Sequence, residues 1–259
     1  MNILFTVCGR AGSKGIKNKN LRSMLNVPLL YYTLGAIWNY QNSHPRDQVT
    51  VAISSDSEEL HALAHKQTLL PVESVYRDDY LAGDAAPKVS VIAACAKEME
   101  KRSHINYDLV VDLDITSPLR TCQDIEHAIE LKKENNSYDC VFSVTSSRRN
   151  PYFNMIKIEN GVVSQIIESD FTTRQTAPEV YDMNASIYVY DVSALQRKKH
   201  VGFFQTNCGA IMMKDTAVLD IDKEEDLELM ACLAEYFFKH DLLLSGTQKA
   251  ALSLLNSQR

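Results

Sequence analysis

Short apolar segments alternate with amphipathic segments along most of the chain. The apolar segments are rich in β-branched and aromatic residues and have the length of buried strands, whereas the segments between them repeat their apolar positions with helical spacing. The pattern predicts strands at 2–8, 49–53, 71–75, 109–115, 140–144, 187–190 and 217–221, and helices that begin after Pro28 and cover 57–66, 89–101, 122–133 and 224–239. Strands and helices that alternate in this way favour an α/β fold, with a mostly parallel sheet and helices on both faces.

The alternation stops between residues 147 and 183. This stretch has polar turns, a hairpin expected around Glu159-Asn160-Gly161 and no helical pattern, so we interpret it as an inserted β arm. The predicted domains are therefore an α/β domain of residues 1–146 and 184–240, an arm of residues 147–183, and an amphipathic C-terminal tail helix within 241–259.

A basic, glycine-rich loop follows the first predicted strand. Gly9, Gly12 and Gly15 permit positive φ and close backbone approach, so successive N–H groups can point into one concavity and bind an anion. Their spacing matches neither the GxxxxGK[ST] phosphate loop nor the GxGxxG dinucleotide fingerprint. A tight connection with solvated lysines is the alternative, but the clustered charge favours a site for nucleotide phosphates. The basic residues of this stretch are Arg10, Lys14, Lys17 and Lys19, and Asn20 follows them.

Two pairs of aspartates lie at the ends of predicted strands. Asp220 and Asp222 alternate along one strand, so their carboxylates point the same way at about 7 Å and can hold a hard cation such as Mg²⁺. The alternative is that Asp222 caps the next helix and Asp220 is solvated. Asp112 and Asp114 end the central strand, where doubly wound sheets collect ligands, unless Asp114 only forms a local turn bond. The residues after them that offer hydroxyl and guanidinium contacts are Thr116, Ser117 and Arg120.

Composition excludes several classes of protein. The chain has 259 residues, 45% of them hydrophobic, with 27 Lys and Arg against 33 Asp and Glu, which is globular composition with a net charge of -6. No apolar run reaches the ~18 residues of a membrane helix, the N-terminus does not resemble a signal peptide, and the acidic balance argues mildly against nucleic acid. Six cysteines without a CxxC or zinc-type spacing fit a reducing cytoplasm. We find no Ser/His/Asp or Cys/His arrangement, and interpret the seven histidines as surface residues.

Six blocks of residues resemble the acylneuraminate cytidylyltransferase family, and the similarity runs from residue 3 to about residue 238. The blocks are GRAGSKGIKNKNLR (9–22), YRDDYLAGDAA (76–86), TSPLR (116–120), RQ (174–175), NASIYV (184–189) and DIDKEEDL (220–227). The resemblance implies a Rossmann-like nucleotidyltransferase fold with a mixed, mostly parallel sheet, and a homodimer built through the arm. It also implies Mg²⁺-dependent transfer of CMP from CTP to a nonulosonic acid, a nine-carbon 2-keto sugar acid. The resulting CMP-sugar would serve surface glycan or flagellin glycosylation.

The resemblance also implies roles for individual residues. The positions that match the triphosphate side are Arg10, Gly12, Ser13, Lys14, Lys19 and Asn20, and the cytosine segment is matched by Arg77 and the Ala86 backbone. Asp220 and Asp222 match the metal carboxylates, and with Arg10 and Lys19 they are expected to act in catalysis. The expected sugar-side residues are Asp114, Thr116, Ser117, Phe153, Arg174, Gln175 and Asn184, with Arg174 reached from the arm.

Departures from the sialate pattern concentrate on the sugar side. Asp114 replaces a Gln, a Lys is replaced near Phe153, and Asp182 and Ala185 replace a basic residue and a Gly around Asn184. Lys88 replaces a small hydroxyl residue near the base site. These features resemble the branch that activates legionaminic acid. A synthetase for sialic acid, KDN or an 8-amino-Kdo type, a nucleotidyltransferase for another base, and a non-catalytic nucleotide-binding subunit remain alternatives.

Overall fold

A single mixed sheet organises the chain, and the computed structural model describes residues 1–12, 15–83, 86–196, 206–216 and 221–258. The strands are β1 (Asn2–Cys8), β2 (Ser23–Met24), β3 (Val27–Pro28), β4 (Gln48–Ser55), β5 (Glu73–Tyr76), β6 (Leu109–Leu113), β7 (Cys140–Ser146), β8 (Ile156–Glu159), β9 (Val162–Gln165), β10 (Tyr181–Asp191) and β11 (Cys208–Met212). The helices are α1 (Leu29–Ser43), α2 (Glu58–Lys66), α3 (Asp79–Ala82), α4 (Lys88–Ser103), α5 (Cys122–Glu134), α6 (Val192–Gln196), α7 (Glu224–His240) and α8 (Leu242–Asn256), with a 3-10 turn at Lys19–Leu21.

The order of the seven main strands is β11-β7-β10-β6-β1-β4-β5. Neighbouring strands run parallel except at β10, which is antiparallel to both β6 and β7. The chain runs from β1 outward to β4 and β5, and then crosses to β6 on the other side of β1. This reversal makes the C-terminal ends of β1 and β6 a switch point, where open α/β sheets bind ligands. The predicted α/β fold is confirmed.

Both faces of the sheet are covered by helices. Ile3, Phe5 and Val7 of β1 pack in the core that also contains the buried residues of α1, α5, α7 and α8. Leu4 points the other way, into a second core with Ile92 and other residues of α4. Successive strand residues face opposite sides, and a strand buried on both sides needs an almost unbroken apolar sequence. That requirement is why the strands were visible in the sequence.

The C-terminal segment packs on the main core. Helix α8 lies so close to α1 that a Cβ at Gly35 would come within 2.9 Å of the Ala251 nitrogen. Thr247 of α8 is fully buried, and its hydroxyl donates to the Arg120 carbonyl at 2.8 Å. The tail helix is therefore linked to the loop that follows β6.

The arm contains the expected hairpin. Strands β8 and β9 pair antiparallel around Asn160 and Gly161, whose φ values of 52° and 79° fit a type I′ turn. More than half of the Ile158 and Val162 side chains is exposed. The arm stretch ends at β10, since Tyr181 already pairs with Ser146 of β7.

Two local features differ from expectation, and one expected strand lies mostly outside the described residues. The strand expected at 217–221 falls on residues 217–220, which lie outside the described residues, and Ile221 is a buried loop residue before α7. Strand β11, with Gly209 against the Tyr138 ring, was not predicted. His61 is only 2% exposed, with its Nε2 atom 3.2 Å from the Ser55 carbonyl oxygen, so its interpretation as a surface residue was wrong. Along the described ranges, no helix combines the length and apolarity that crossing a membrane requires.

Candidate functional site

A cavity of about 280 Å³ opens at the switch point of the sheet. It is lined by Cys8, Arg10, Lys19, Asn20, Arg77, Leu81, Gly83, Ala86, Lys88, Val91, Asp114 and Thr116. The sequence predicted a ligand-binding role for seven of these residues: Arg10, Lys19, Asn20, Arg77, Ala86, Asp114 and Thr116. The lining contains four basic side chains against one carboxylate, so the cavity suits an anionic ligand.

The glycine loop is fixed at several points. The Gly9 N–H donates to the Ser54 carbonyl at 3.1 Å, and the Ala11 N–H donates to Asp56 Oδ1 at 2.8 Å. The Asn20 amide donates to the Arg10 carbonyl at 3.0 Å, which ties the start of the loop to its end. Ser13 and Lys14 lie outside the described residues, and Gly12 is exposed without lining the cavity.

Close approach explains the glycine at position 15. A Cβ there would overlap the carbonyl oxygen of Asp222, so a larger residue would push the loop away from the start of α7. Gly9 and Gly12 do not use the positive φ that glycine permits, and among the described residues of this segment Asn18 is left-handed, with a φ of 55°.

The same contact brings Asp222 beside the loop. Its Oδ1 atom lies 3.1 Å from Lys19 Nζ, and its side chain is 69% exposed. Asp222 does not cap α7, because Asp226 Oδ2 accepts from the Asp222 and Lys223 N–H groups. Asp220 lies outside the described residues, and among those described no three His, Cys, Asp or Glu side chains form a metal-binding group. The Asp222 carboxylate is a hard oxygen ligand of the kind that Mg²⁺ takes.

Arg77 lines the cavity beside the start of the loop. Its Nη2 atom donates to the Ser54 carbonyl at 2.7 Å and its Nε to the Ser54 hydroxyl at 3.2 Å. The Ala86 N–H donates to the Gly83 carbonyl, which shapes the neighbouring segment. Arg77 and Ala86 therefore lie together at the cavity, as the sequence predicted.

Lys88 was identified from sequence only as a departure near the base site, and its ion pairs were not foreseen. The Lys88 ammonium lies 2.9 Å from Asp112 Oδ2 and 3.0 Å from Asp114 Oδ2. Burial lowers the pKa of Lys88, but the charges of Asp112 and Asp114 outweigh it and raise that pKa above its ordinary value. Burial by itself raises the pKa of Asp114, but the Lys88 charge and the Thr116 hydrogen bonds outweigh burial and hold that pKa below its ordinary value. Asp114 is therefore ionised at neutral pH.

Two further residues near the cavity behave differently from a substrate contact. Burial, and then the Asp112 charge, raise the pKa of the Cys8 thiol well above its ordinary value, so Cys8 is not a thiolate nucleophile. The Arg120 guanidinium, expected to contact ligand, is 1% exposed, and its Nη2 donates to the carbonyls of Asp114 and Ser117. Arg120 therefore holds the loop that carries Asp114.

The remaining sugar-side residues lie elsewhere. Arg174 and Gln175 line a second cavity of about 480 Å³ at the base of the arm, which shares no lining residue with the first. The Arg174 guanidinium donates there to the Ser147 carbonyl at 2.6 Å. Ser117 and Asn184 are buried, with Asn184 accepting from the Ser143 hydroxyl, and half-buried Phe153 lines neither cavity.

Comparison with known proteins agrees with the sequence and the fold. The cytidylyltransferase family model matches residues 4–247. The chain is 35% identical to the post-translational flagellin modification protein B of Campylobacter coli over 233 residues, which is 89% of this chain and 94% of the relative. It is 37% identical to the CMP-N,N'-diacetyllegionaminic acid synthase of Campylobacter jejuni over 232 residues, with the same coverage of 89% and 94%.

A solved structure shares the fold at low sequence identity. CMP:2-keto-3-deoxy-manno-octonic acid synthetase complexed with CTP superposes with a TM-score of 0.64 at 12% identity, over 91% of this chain and 99% of that one. The Rossmann-like architecture is thus common to both.

Proposed function

Because the chain belongs to the cytidylyltransferase family, we propose that it transfers CMP from CTP to the anomeric hydroxyl of a nonulosonic acid and releases pyrophosphate. The observation that carries this proposal is the basic cavity at the switch point, where Arg10, Lys19 and Arg77 converge. The acceptor that we put first is N,N'-diacetyllegionaminic acid, which the name of a 37% identical relative supports. The name of the flagellin modification relative supports a use of the product in flagellin glycosylation.

The proposed reaction is an in-line displacement at phosphorus. The C2 hydroxyl of the sugar acid attacks the α-phosphorus of CTP, a new P–O bond forms, and the bond to the β-phosphate oxygen breaks. The electron pair leaves with pyrophosphate, and the hydroxyl proton passes to solvent. Arg10 and Lys19 neutralise the triphosphate and the leaving group, so the protein contributes positioning and charge stabilisation rather than a covalent intermediate.

A magnesium ion is part of this proposal. Asp222, exposed beside Lys19, and Asp220 would hold it, and two carboxylates are the hard ligands that Mg²⁺ prefers. When bound, the ion supplies positive charge for the phosphate oxygens.

The arm supports a homodimer as part of the proposal. Its hairpin leaves Ile156, Ile158, Val162 and Val163 more than half exposed, and an isolated two-stranded hairpin is marginally stable in water. A second copy of the chain is the occupant that we propose for this apolar surface. The sugar-acid contact expected of Arg174 would then be supplied to the first cavity by another copy, since Arg174 does not line the cavity of its own chain. An Ile158→Glu variant should elute as a monomer in size-exclusion chromatography, whereas unchanged elution at the dimer volume would refute the arm interface.

A cytoplasmic location completes the proposal. No disulfide joins the six cysteines, all of which lie within the described residues, and this fits a reducing compartment.

Pyrophosphate release with a panel of substrates tests the function. CTP, UTP, GTP and ATP are each combined with N,N'-diacetyllegionaminic acid, sialic acid, KDN and an 8-amino-Kdo acceptor in the presence of Mg²⁺. We expect the highest kcat/KM for CTP with the legionaminic acid. Equal or better turnover of another acid would overturn the choice of acceptor, and a preference for another nucleotide would overturn the choice of CTP. If no combination releases pyrophosphate, the proposed activity is wrong and a non-catalytic nucleotide-binding subunit is the remaining alternative.

A further inference from the structure

The floor of the first cavity holds one lysine between two aspartates. Lys88 Nζ lies 2.9 Å from Asp112 Oδ2 and 3.0 Å from Asp114 Oδ2. The other oxygen of each carboxylate is also engaged: the Thr6 hydroxyl donates to Asp112 Oδ1 at 2.9 Å, and the Thr116 N–H and hydroxyl donate to Asp114 Oδ1 at 2.9 and 2.7 Å. The lysine and both carboxylates therefore have fixed positions.

The two aspartates differ in what they present to the cavity. The Asp112 side chain is completely buried, whereas the Asp114 side chain is 24% exposed and lines the cavity. A carboxylate has about four lone-pair sites. Three described donors reach Asp114, namely Lys88 Nζ and the two Thr116 groups, so a further donor can be accepted from the cavity. Asp112 thus anchors the ammonium, and Asp114 faces the ligand.

We infer that Lys88 and Asp114 form one unit that selects the sugar acid, with Asp114 as the contact and Lys88 as its positioning residue. This inference rests on the proposed function. Lys88 keeps Asp114 ionised and aimed at the cavity, where the carboxylate accepts a hydrogen bond from an N–H or O–H group of the acceptor.

An ionised carboxylate selects more sharply than an amide would. It accepts hydrogen bonds and donates none, so it favours a donor on the sugar and repels a carbonyl or carboxylate oxygen at the same place. A neutral amide can turn either its oxygen or its nitrogen to the ligand. Asp114 and Lys88 are two of the positions at which the chain departs from the sialate pattern, and their side chains are in contact.

A purely structural ion pair between α4 and the end of β6 is the competing explanation. It predicts that loss of Lys88 lowers stability and all activities together. Selection of the acceptor predicts instead that the KM for the sugar acid rises while the KM for CTP changes little. It also predicts that a second substitution adds little, because the pair has already been broken.

The test is a mutant cycle on the full-length enzyme with CTP and Mg²⁺. The variants are Lys88→Met, Lys88→Arg, Asp114→Asn and the Lys88→Met/Asp114→Asn double, with Lys97→Met as a control that removes an exposed ammonium from the same helix. For each we measure KM and kcat for the acceptor preferred by the wild type, the same constants for sialic acid, the KM for CTP and the melting temperature.

If one charge-assisted hydrogen bond is lost, Asp114→Asn and Lys88→Met should reduce kcat/KM for the preferred acid roughly ten- to a hundredfold. They should also reduce the ratio of kcat/KM for the preferred acid to kcat/KM for sialic acid. We expect Lys88→Arg to keep most of the wild-type ratio of kcat/KM between the two acids. The double variant should match Asp114→Asn alone, and Lys97→Met should behave as wild type. Asp114→Asn keeps Asp112 as the partner of Lys88 and should fold even where Lys88→Met does not.

The inference and the proposed function fail in different ways. If the wild type releases pyrophosphate and Asp114→Asn keeps the wild-type ratio of kcat/KM between the two acids, the selecting role is refuted and the function stands. If the effects of Lys88→Met and Asp114→Asn multiply in the double variant, the two residues do not act as a unit. A wild type that turns over no sugar acid contradicts the proposed function itself.

Discussion

The buried guanidinium of Arg120 should hold the loop that presents Asp114 and Thr116 to the cavity. Its Nη2 donates to the carbonyls of Asp114 and Ser117 at 2.5 and 2.6 Å. Arg120→Met keeps a long unbranched side chain and removes both hydrogen bonds. The variant therefore separates the charge and hydrogen bonds of Arg120 from the space that it fills.

Two effects of opposite sign set the cost in stability. Hydrogen bonds from a charged donor contribute roughly 1.5–3 kcal/mol each, so two of them contribute about 3–6 kcal/mol. Burial lowers the pKa of Arg120 from 12.5 to about 10, and Nε and Nη1 have no hydrogen-bond partner among the described residues. At about 1.4 kcal/mol per pKa unit, removing this buried charge returns roughly 3.5 kcal/mol. The net loss should therefore lie between about 0 and 2.5 kcal/mol.

The assay compares unfolding with catalysis. At about 2–4 °C per kcal/mol, Arg120→Met should lower the melting temperature by no more than about 10 °C. We expect kcat/KM for the sugar acid to fall at least about tenfold, because a displaced Asp114 no longer meets its ligand. Arg148→Met is the control, since Arg148 is 73% exposed and its pair with Asp215 is a surface ion pair. Wild-type kcat/KM in Arg120→Met would refute the positioning role, and a much larger loss of stability would refute the balance of the two effects.

Four other changes have defined outcomes. Asp222→Asn should reduce Mg²⁺-dependent turnover at least about a hundredfold with a nearly unchanged melting temperature, and turnover near the wild-type rate would exclude Asp222 as a metal ligand. Gly15→Ala should weaken CTP binding in calorimetry because its Cβ overlaps the Asp222 carbonyl, and wild-type affinity would show that the loop yields freely. Thr121→Ala removes the capping box of α5 and should cost about 1 kcal/mol in urea unfolding, with no loss expected if the cap does not form in solution. Asp114→Asn should make the free energy of unfolding depend less on pH in acid. In the folded protein the pKa of Asp114 is below its ordinary value of 3.8, so its stabilising contribution is present above about pH 4 and is lost as the pH falls further. An unchanged pH profile of the unfolding free energy in the variant would contradict this.

The sequence predicted the elements whose local pattern is strong. Most strands of the sheet are buried on both faces and read as continuous apolar runs, and α5 begins at Cys122, where the helix was expected to begin. Strand β11 was missed because its residues alternate between buried and exposed, and because it contains Gly209, a residue that is uncommon inside strands. Local pattern is weakest where only one face of a strand is buried.

The part of the site that could not be predicted from the sequence depends on contacts between residues that are far apart along the chain. The residues of the glycine loop are adjacent in sequence, so their clustering could be predicted. Lys88 and Asp114 are far apart along the chain, and their ion pair depends on how α4 crosses the end of β6. The sequence predicted a ligand contact for Arg120 from its place after the central strand, but here its Nη2 donates to the backbone carbonyls of its own loop.

Phosphorus NMR of the complete reaction tests the central claim most directly. The enzyme is mixed with CTP, Mg²⁺ and N,N'-diacetyllegionaminic acid, and the spectra are compared with a mixture that lacks the sugar acid. Transfer of CMP predicts that the three CTP resonances are replaced by the resonance of pyrophosphate and one phosphodiester resonance, with one molecule of each product per CTP. It also predicts that this happens only when the sugar acid is present. Formation of CDP with orthophosphate, of free CMP with pyrophosphate, or of no product would contradict it.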